Sequence, residues 1–234
     1  MNNINIFRLT KSPLVEVSLY LECFSLKNGR EVDCHAIQQA LLKEYPNFRI
    51  IEQNNPREKG PVILAEAIEE KKALLLKPSL YSFSMTQTYS DWDYFVKSAL
   101  DTFPLFIEKF GLEKVVRVGV RSVNKFPVIS GVKTARDIFT TVVESLDEES
   151  SISIDYLLKK THYYKKYDLY GTTVLAARTL KSADVRASMD VDVFALDLKG
   201  IAPKDFLSKL GSIRVLKDLL FFSTVQSNIL KELR

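Results

Sequence analysis

Arginines and carboxylates at alternate positions of β-prone stretches are where this chain carries most of its chemistry. Residues 114–126, KVVRVGVRSVNKF, place Arg117, Gly119, Arg121 and Lys125 on one side of a strand. Val116, Val118 and Val120 fall on the other side, joined by Ser122 and Asn124. Residues 185–197 behave similarly. Val185, Ala187, Met189, Val191 and Val193 point inward, while Arg186, Asp190 and Asp192 point outward. In residues 13–24, Val15, Val17, Leu19, Leu21 and Cys23 alternate with Glu16, Ser18, Tyr20 and Glu22. A period of two with one apolar side marks a half-buried strand.

If these strands share a sheet, one surface gathers Glu16, Glu22, Asp190 and Asp192 with Arg117, Arg121, Lys125 and Arg186. Two chemistries are then open. The first is a set of cross-strand ion pairs on a solvated face, each contributing roughly 0.2–1 kcal/mol. The second is a partly covered groove in which two arginines hold an anion or an acidic partner segment. The planar guanidinium suits this because it binds carboxylate or phosphate through two hydrogen bonds. Gly119, between the arginines, would let a ligand or another backbone approach closely. The candidate binding residues are therefore Arg117, Arg121, Asn124, Lys125, Glu16, Arg186, Asp190 and Asp192.

Other chemistry is thinner. THYYKKYDLY, from residue 161, interleaves bases and aromatics, which suits single-stranded nucleic acid. A strand edge with snorkelling lysines accounts for it as simply. His162 has no Ser, Cys or Asp in a recognisable catalytic motif, and SFSMTQTYS holds hydroxyls but no nucleophile elbow. Glu16 and Glu22 lack the middle acid of a metal-holding triphosphate barrel, because Ser18 stands there. With two cysteines, Cys23 and Cys34, and two histidines, His35 and His162, no metal, cofactor or disulfide scaffold is expected.

These strands need elements to position them. The 234 residues are 46% hydrophobic and 26% charged, enough for a folded core. The net charge of +4 permits contact with nucleic acid without arguing for it. MNNINIFRLT has no apolar core, and no run nears the ~20 apolar residues of a membrane helix, so a cytoplasmic protein with no membrane contact is expected. Asp33 should cap a helix over 34–45, followed by a polar loop, EQNNPREKGP, and a strand at VILAEAI. KALLLK and LYSFSMTQTY read as a hairpin, with Tyr81, Phe83, Met85, Gln87 and Tyr89 on one face and Ser82, Ser84, Thr86 and Thr88 on the other. Ser90 should open a helix that Pro104 kinks or restarts and Gly111 ends. Thr134 should start a helix to about 146, with Ile138, Phe139, Val142 and Val143 inward. ISIDYLLKKTHYY fits helix or strand, and YDLYGTTVLAARTL reads as a strand. From Pro203 the chain reads as helical, interrupted at Gly211 and Ser212.

The expected fold is α+β, with largely antiparallel sheet, helices on one face and a long C-terminal helix. A polar lead-in covers residues 1–12. Two halves, 13–111 and 112–234, repeat the order strand, helix, strands, long helix and pack as one globular unit. The C-terminal helix carries more apolar surface than one sheet face needs. Leu219, Phe222 and Ile229 are accordingly candidate interface residues; Trp92, most simply a core or helix-start anchor, joins them because a first-turn Trp can also be an interface hot spot.

PLVEVSLYL, YSDWDYF, RVGVRSVNKF and MDVDVF together resemble a sporadically distributed family of uncharacterised prokaryotic proteins of similar length. Its members show P-x-V-E, Y-S-x-W and G-x-R-x-x-N motifs, and this chain departs from them at Ser122, where the family has Tyr. The resemblance implies no activity. It suggests a defence or mobile-element setting by association alone. The leading expectation is a non-enzymatic binding or accessory protein acting through protein contacts, as a homo-oligomer or with another protein. The alternatives are a binder or hydrolase of small anions or nucleotide phosphates, and single-stranded nucleic-acid binding.

Overall fold

The computed structural model describes residues 9, 11–25, 32–55, 58–86, 91–141, 155–179, 184–202 and 205–234. The alternating stretches form one nine-stranded antiparallel sheet that does not close into a barrel. Its strands are β1 (Leu14–Ser25), β2 (Asn47–Asn55), β3 (Glu58–Ala67), β4 (Lys72–Lys77) and β5 (Leu80–Thr86), then β6 (Leu112–Phe126), β7 (Asp155–Tyr164), β8 (Leu169–Thr179) and β9 (Val185–Ile201). The spatial order is β2-β3-β4-β5-β1-β6-β9-β8-β7.

Helices cover one face. They are α1 (Cys34–Leu41), α2 (Trp92–Phe110), α3 (Leu207–Thr224) and α4 (Ser227–Glu232). The core between helices and sheet is aromatic. Tyr81, Phe83, Phe95, Phe106 and Phe206 are fully buried, and Phe103 meets Phe206 edge-on at 5.1 Å, joining the two halves of the chain. Tyr81 donates its hydroxyl to the Ala99 carbonyl, which satisfies its polar end inside the core.

β1 and β6 pair at the centre, and each half of the sheet is laid down from there by the same path. From β1 the chain passes through α1 and meanders back through β2, β3 and β4 to β5, which pairs with β1. From β6 it meanders through β7 and β8 to β9, which pairs with β6. β5 thus corresponds to β9, β4 to β8 and β3 to β7. β2 has no counterpart among the described residues.

Several expectations are corrected. EQNNPREKGP is the end of a hairpin and not a loop, since β2 and β3 pair out to Asn55↔Glu58. Pro61 is tolerated because β4 pairs with β3 only from Ile63 onward. Asp91 caps α2 on the Tyr94 N–H; Ser90, Gln87, Thr88 and Tyr89 lie outside the described residues. α2 runs through Pro104 without a break and ends at left-handed Gly111, φ 64°. Among the described residues, Thr134 opens only a 3-10 turn, Ala135–Asp137. Phe139 then makes an isolated bridge to Val225 and the chain turns through Thr140 and Thr141; Val142 and Val143 lie outside the described residues. ISIDYLLKKTHYY resolves as β7 from Asp155 on. α3 passes through Gly211 and breaks instead at Val225 and Gln226, where that bridge takes over; Pro203 lies outside the described residues.

Candidate functional site

Among the described residues the second sheet face carries no helix, and most of the charged residues read from the sequence meet there. Register fixes their order. Tyr20 lies opposite Gly119, which lies opposite Phe194; Glu22 lies opposite Arg117; Arg121 lies opposite Asp192. A bulge opposite β1 shifts β6 by one residue, so Val115 is the buried residue and Val116, expected in the core, is only half-buried.

Arg117 is the centre. Its Nη1 donates to Glu22 at 2.9 Å and its Nη2 to Asp192 at 3.0 Å. To reach Asp192, two pairs along, the guanidinium crosses the Phe194 ring at 3.9 Å, and the Tyr20 ring flanks it at 4.9 Å. Tyr20 in turn donates its hydroxyl to Asp192 at 2.6 Å. The glycine between the arginines makes this contact possible. A Cβ at Gly119 would stand 2.3 Å from the Tyr20 ring and hydroxyl. The space expected to admit a ligand or another backbone is therefore filled by a side chain of the same sheet.

Burial pushes the Asp192 carboxyl above its ordinary value, although the Tyr20 hydrogen bond and Arg117 pull the other way. Burial, with the charge of Asp192, pushes the Tyr20 phenol upward as well. Arg121 is more open. Its side chain is 54% exposed and holds Asp190 through Nε and Nη2, at 2.9 and 2.6 Å. Ser18 donates to Glu16 at 3.0 Å and lies 2.9 Å from the Ser84 hydroxyl.

The aromatic contacts continue outward. Phe194 on β9 stacks on Tyr170 of β8 at 5.3 Å and 13°, and Tyr170 meets Tyr163 of β7 at 5.1 Å. Tyr20, Arg117, Phe194, Tyr170 and Tyr163 thus form one row across five neighbouring strands. Leu196, opposite Arg117, is 44% exposed; Leu198, further along β9, is 76% exposed and Leu157 on β7 is 75% exposed.

Of the candidate binding residues, the structure unites Arg117, Arg121, Asp190, Asp192 and Glu16 on this face. Lys125 and Arg186 are exposed and form no ion pair among the described residues. Asn124 is on the other face, buried, donating to the Met189 carbonyl as a structural tie between β6 and β9. Tyr20 was visible on the polar side of β1; Phe194 was missed, though it follows Asp190 and Asp192 at the same spacing. The interface candidates divide too. Trp92 and Ile229 are buried within the chain, Trp92 against Phe95 at 6.0 Å, whereas Leu219 is 38% exposed and Phe222 half-buried. The described residues hold no cluster of metal-ligating side chains, and no described helix is long and apolar enough to cross a membrane. No family model matches the chain, and no curated protein matches it.

Proposed function

We propose that this protein is a binding or accessory protein that acts through protein–protein contacts on its open sheet face, with copies of itself or with another protein. One observation carries the reading: at the centre of that face both arginines are already held by carboxylates, while the leucines beside them are exposed. Arg117 and Arg121 are held by Glu22, Asp192 and Asp190. One ring face of Phe194 takes the guanidinium and a neighbouring tyrosine stacks on it as well, which leaves little room for a nucleic-acid base to stack. Leu157, Leu196 and Leu198 remain exposed beside them. Apolar surface rimmed by satisfied polar groups is what a protein partner can cover.

The test is native mass spectrometry on gently purified protein, beside the double variant Leu196→Asp and Leu198→Asp. A dimer or hetero-complex that the double variant abolishes, with its thermal unfolding unchanged, is expected. A strictly monomeric wild type with no co-purifying protein overturns the reading.

A second reading, a site for a small anion or nucleotide phosphate, is favoured by one atom: Arg117 Nε is buried without a hydrogen-bond partner. It predicts thermal stabilisation by inorganic triphosphate that disappears in Arg121→Ala. An unshifted transition removes it.

A further inference from the structure

The two ends of the sheet are not equivalent. In the first half β3 carries β2 on its outer side; in the second half β7, its counterpart, ends the sheet. β7 and β3 have the same length, 10 residues. From Leu157 to Tyr163 every β7 residue except half-buried Leu158 is exposed, and the outer edge of this stretch pairs with nothing among the described residues.

The chemistry of this edge is specific. Leu157, Lys159, Thr161 and Tyr163 share the open face with their β8 partners Ala176, Val174, Thr172 and Tyr170. Lys160 and His162 project from the opposite face, and Lys165 and Lys166 follow in the turn to β8. Lys159, Lys160 and Lys165 have no ion pair among the described residues. A second copy of β7 is a poor occupant. A twofold-related strand keeping both open faces on one side would set Lys159 against Lys159 or Lys160 against Lys160 in the best-overlapped registers, and like charges directly opposite destabilise a ladder. An acidic strand meets the same lysines with opposite charge.

We propose that the outer edge of β7 accepts an extended, acidic segment of another protein as a tenth strand, filling the position that β2 fills in the first half. This deepens the protein-contact reading and rests on it. Main-chain hydrogen bonds supply the affinity. Lys159 and Lys160 select acidic side chains on the two faces, and Leu157 and Tyr163 select an apolar residue at alternate positions.

The probe is a peptide of about ten residues alternating glutamate and valine, beside one alternating lysine and valine. Backbone hydrogen exchange is read on the full chain. The acidic peptide should bind at least about tenfold more tightly than the basic one and protect amides between Leu157 and Tyr163. In Lys159→Glu with Lys160→Glu the preference should reverse, with protection elsewhere in the sheet unchanged. Binding that protects some other region, equal binding of both peptides, or no binding of either overturns the proposal. None of these touches the Leu196 and Leu198 experiment, so the two failures are distinguishable.

Discussion

The two halves of the sheet follow one path but spend their open faces differently. On the first, β5 and β1 present Ser82, Ser84 and Ser18, small groups of which Ser18 bonds to Ser84 and to Glu16. On the second, β6, β9, β8 and β7 present the arginines, the paired aspartates and a row of rings. Tyr20 leans from the first half onto the second across Gly119. The difference shows that a shared backbone plan does not fix what a face does. The plan positions both faces, and the side chains decide what each of them presents.

The sharpest way to break the comparison is Arg117→Met. It leaves Glu22 and Asp192 without their cation and should cost about 3 kcal/mol, since stranding a largely buried charge is expensive. Chemical denaturation measures it, and a loss below about 0.5 kcal/mol would show that the central cluster contributes no more than a surface ion pair. Gly119→Ala follows, at about 2 kcal/mol, because the new methyl drives Tyr20 off the Asp192 carboxylate. In a Tyr20→Ser background the same change should be nearly neutral; equal costs in both backgrounds would disprove the steric account.

Asp192 adds a pH signature. Its folded pKa is raised, so the folded chain holds this proton more tightly than the unfolded chain. Its contribution is complete below about pH 4, the unfolded value, and declines as pH rises through the folded value. Asp192→Asn should remove that part of the pH dependence, and unfolding profiles of the two proteins with identical slopes would contradict it. Gly211→Ala should raise stability by about 0.8 kcal/mol, because the position is helical and an added methyl meets nothing within 4 Å. Arg121→Ala should cost about 0.5 kcal/mol, given the exposure of its pair with Asp190. A cost matching that of Arg117→Met would erase the contrast between the two arginines.

Much of this architecture is legible in the chain. Alternation identified β1, β5, β6 and β9 and the face each charged residue takes, because a half-buried strand imposes a period of two on side-chain polarity. It also allowed both outcomes for the charged face, ion pairs or groove, and the geometry closes Arg117 into pairs. Phe194 escaped because an aromatic on the polar side of a strand looks like core until a cation is seen lying on it. The β2–β3 hairpin escaped because Asn, Pro and Gly signal turns even where strands continue around them. The break between α3 and α4 escaped because Val225 and Gln226 carry no local breaker; pairing with Phe139 and Ile138, far away in the chain, stops the helix. Ile229 counted as surplus apolar surface because a broad sheet absorbs more of a helix than such a count allows, and Trp92, whose place in the apolar stripe of α2 fits a core anchor as well as an interface, is buried.

The pairing of β1 with β6 also sets an order of events in time. Tyr20 and Asp192 are 172 residues apart in sequence, and their hydrogen bond spans three adjacent strands. During synthesis β1 is made before β6, and its inner edge has no β6 partner until β6 follows α2. β6 in turn waits for β9. Contacts this distant close slowly, because the chain loses the entropy of a long loop before any of them is made. The Tyr20–Asp192 contact cannot form before β9 is made, and until β6 is made a first half has an unpaired β1 edge, the kind of edge that invites wrong pairing.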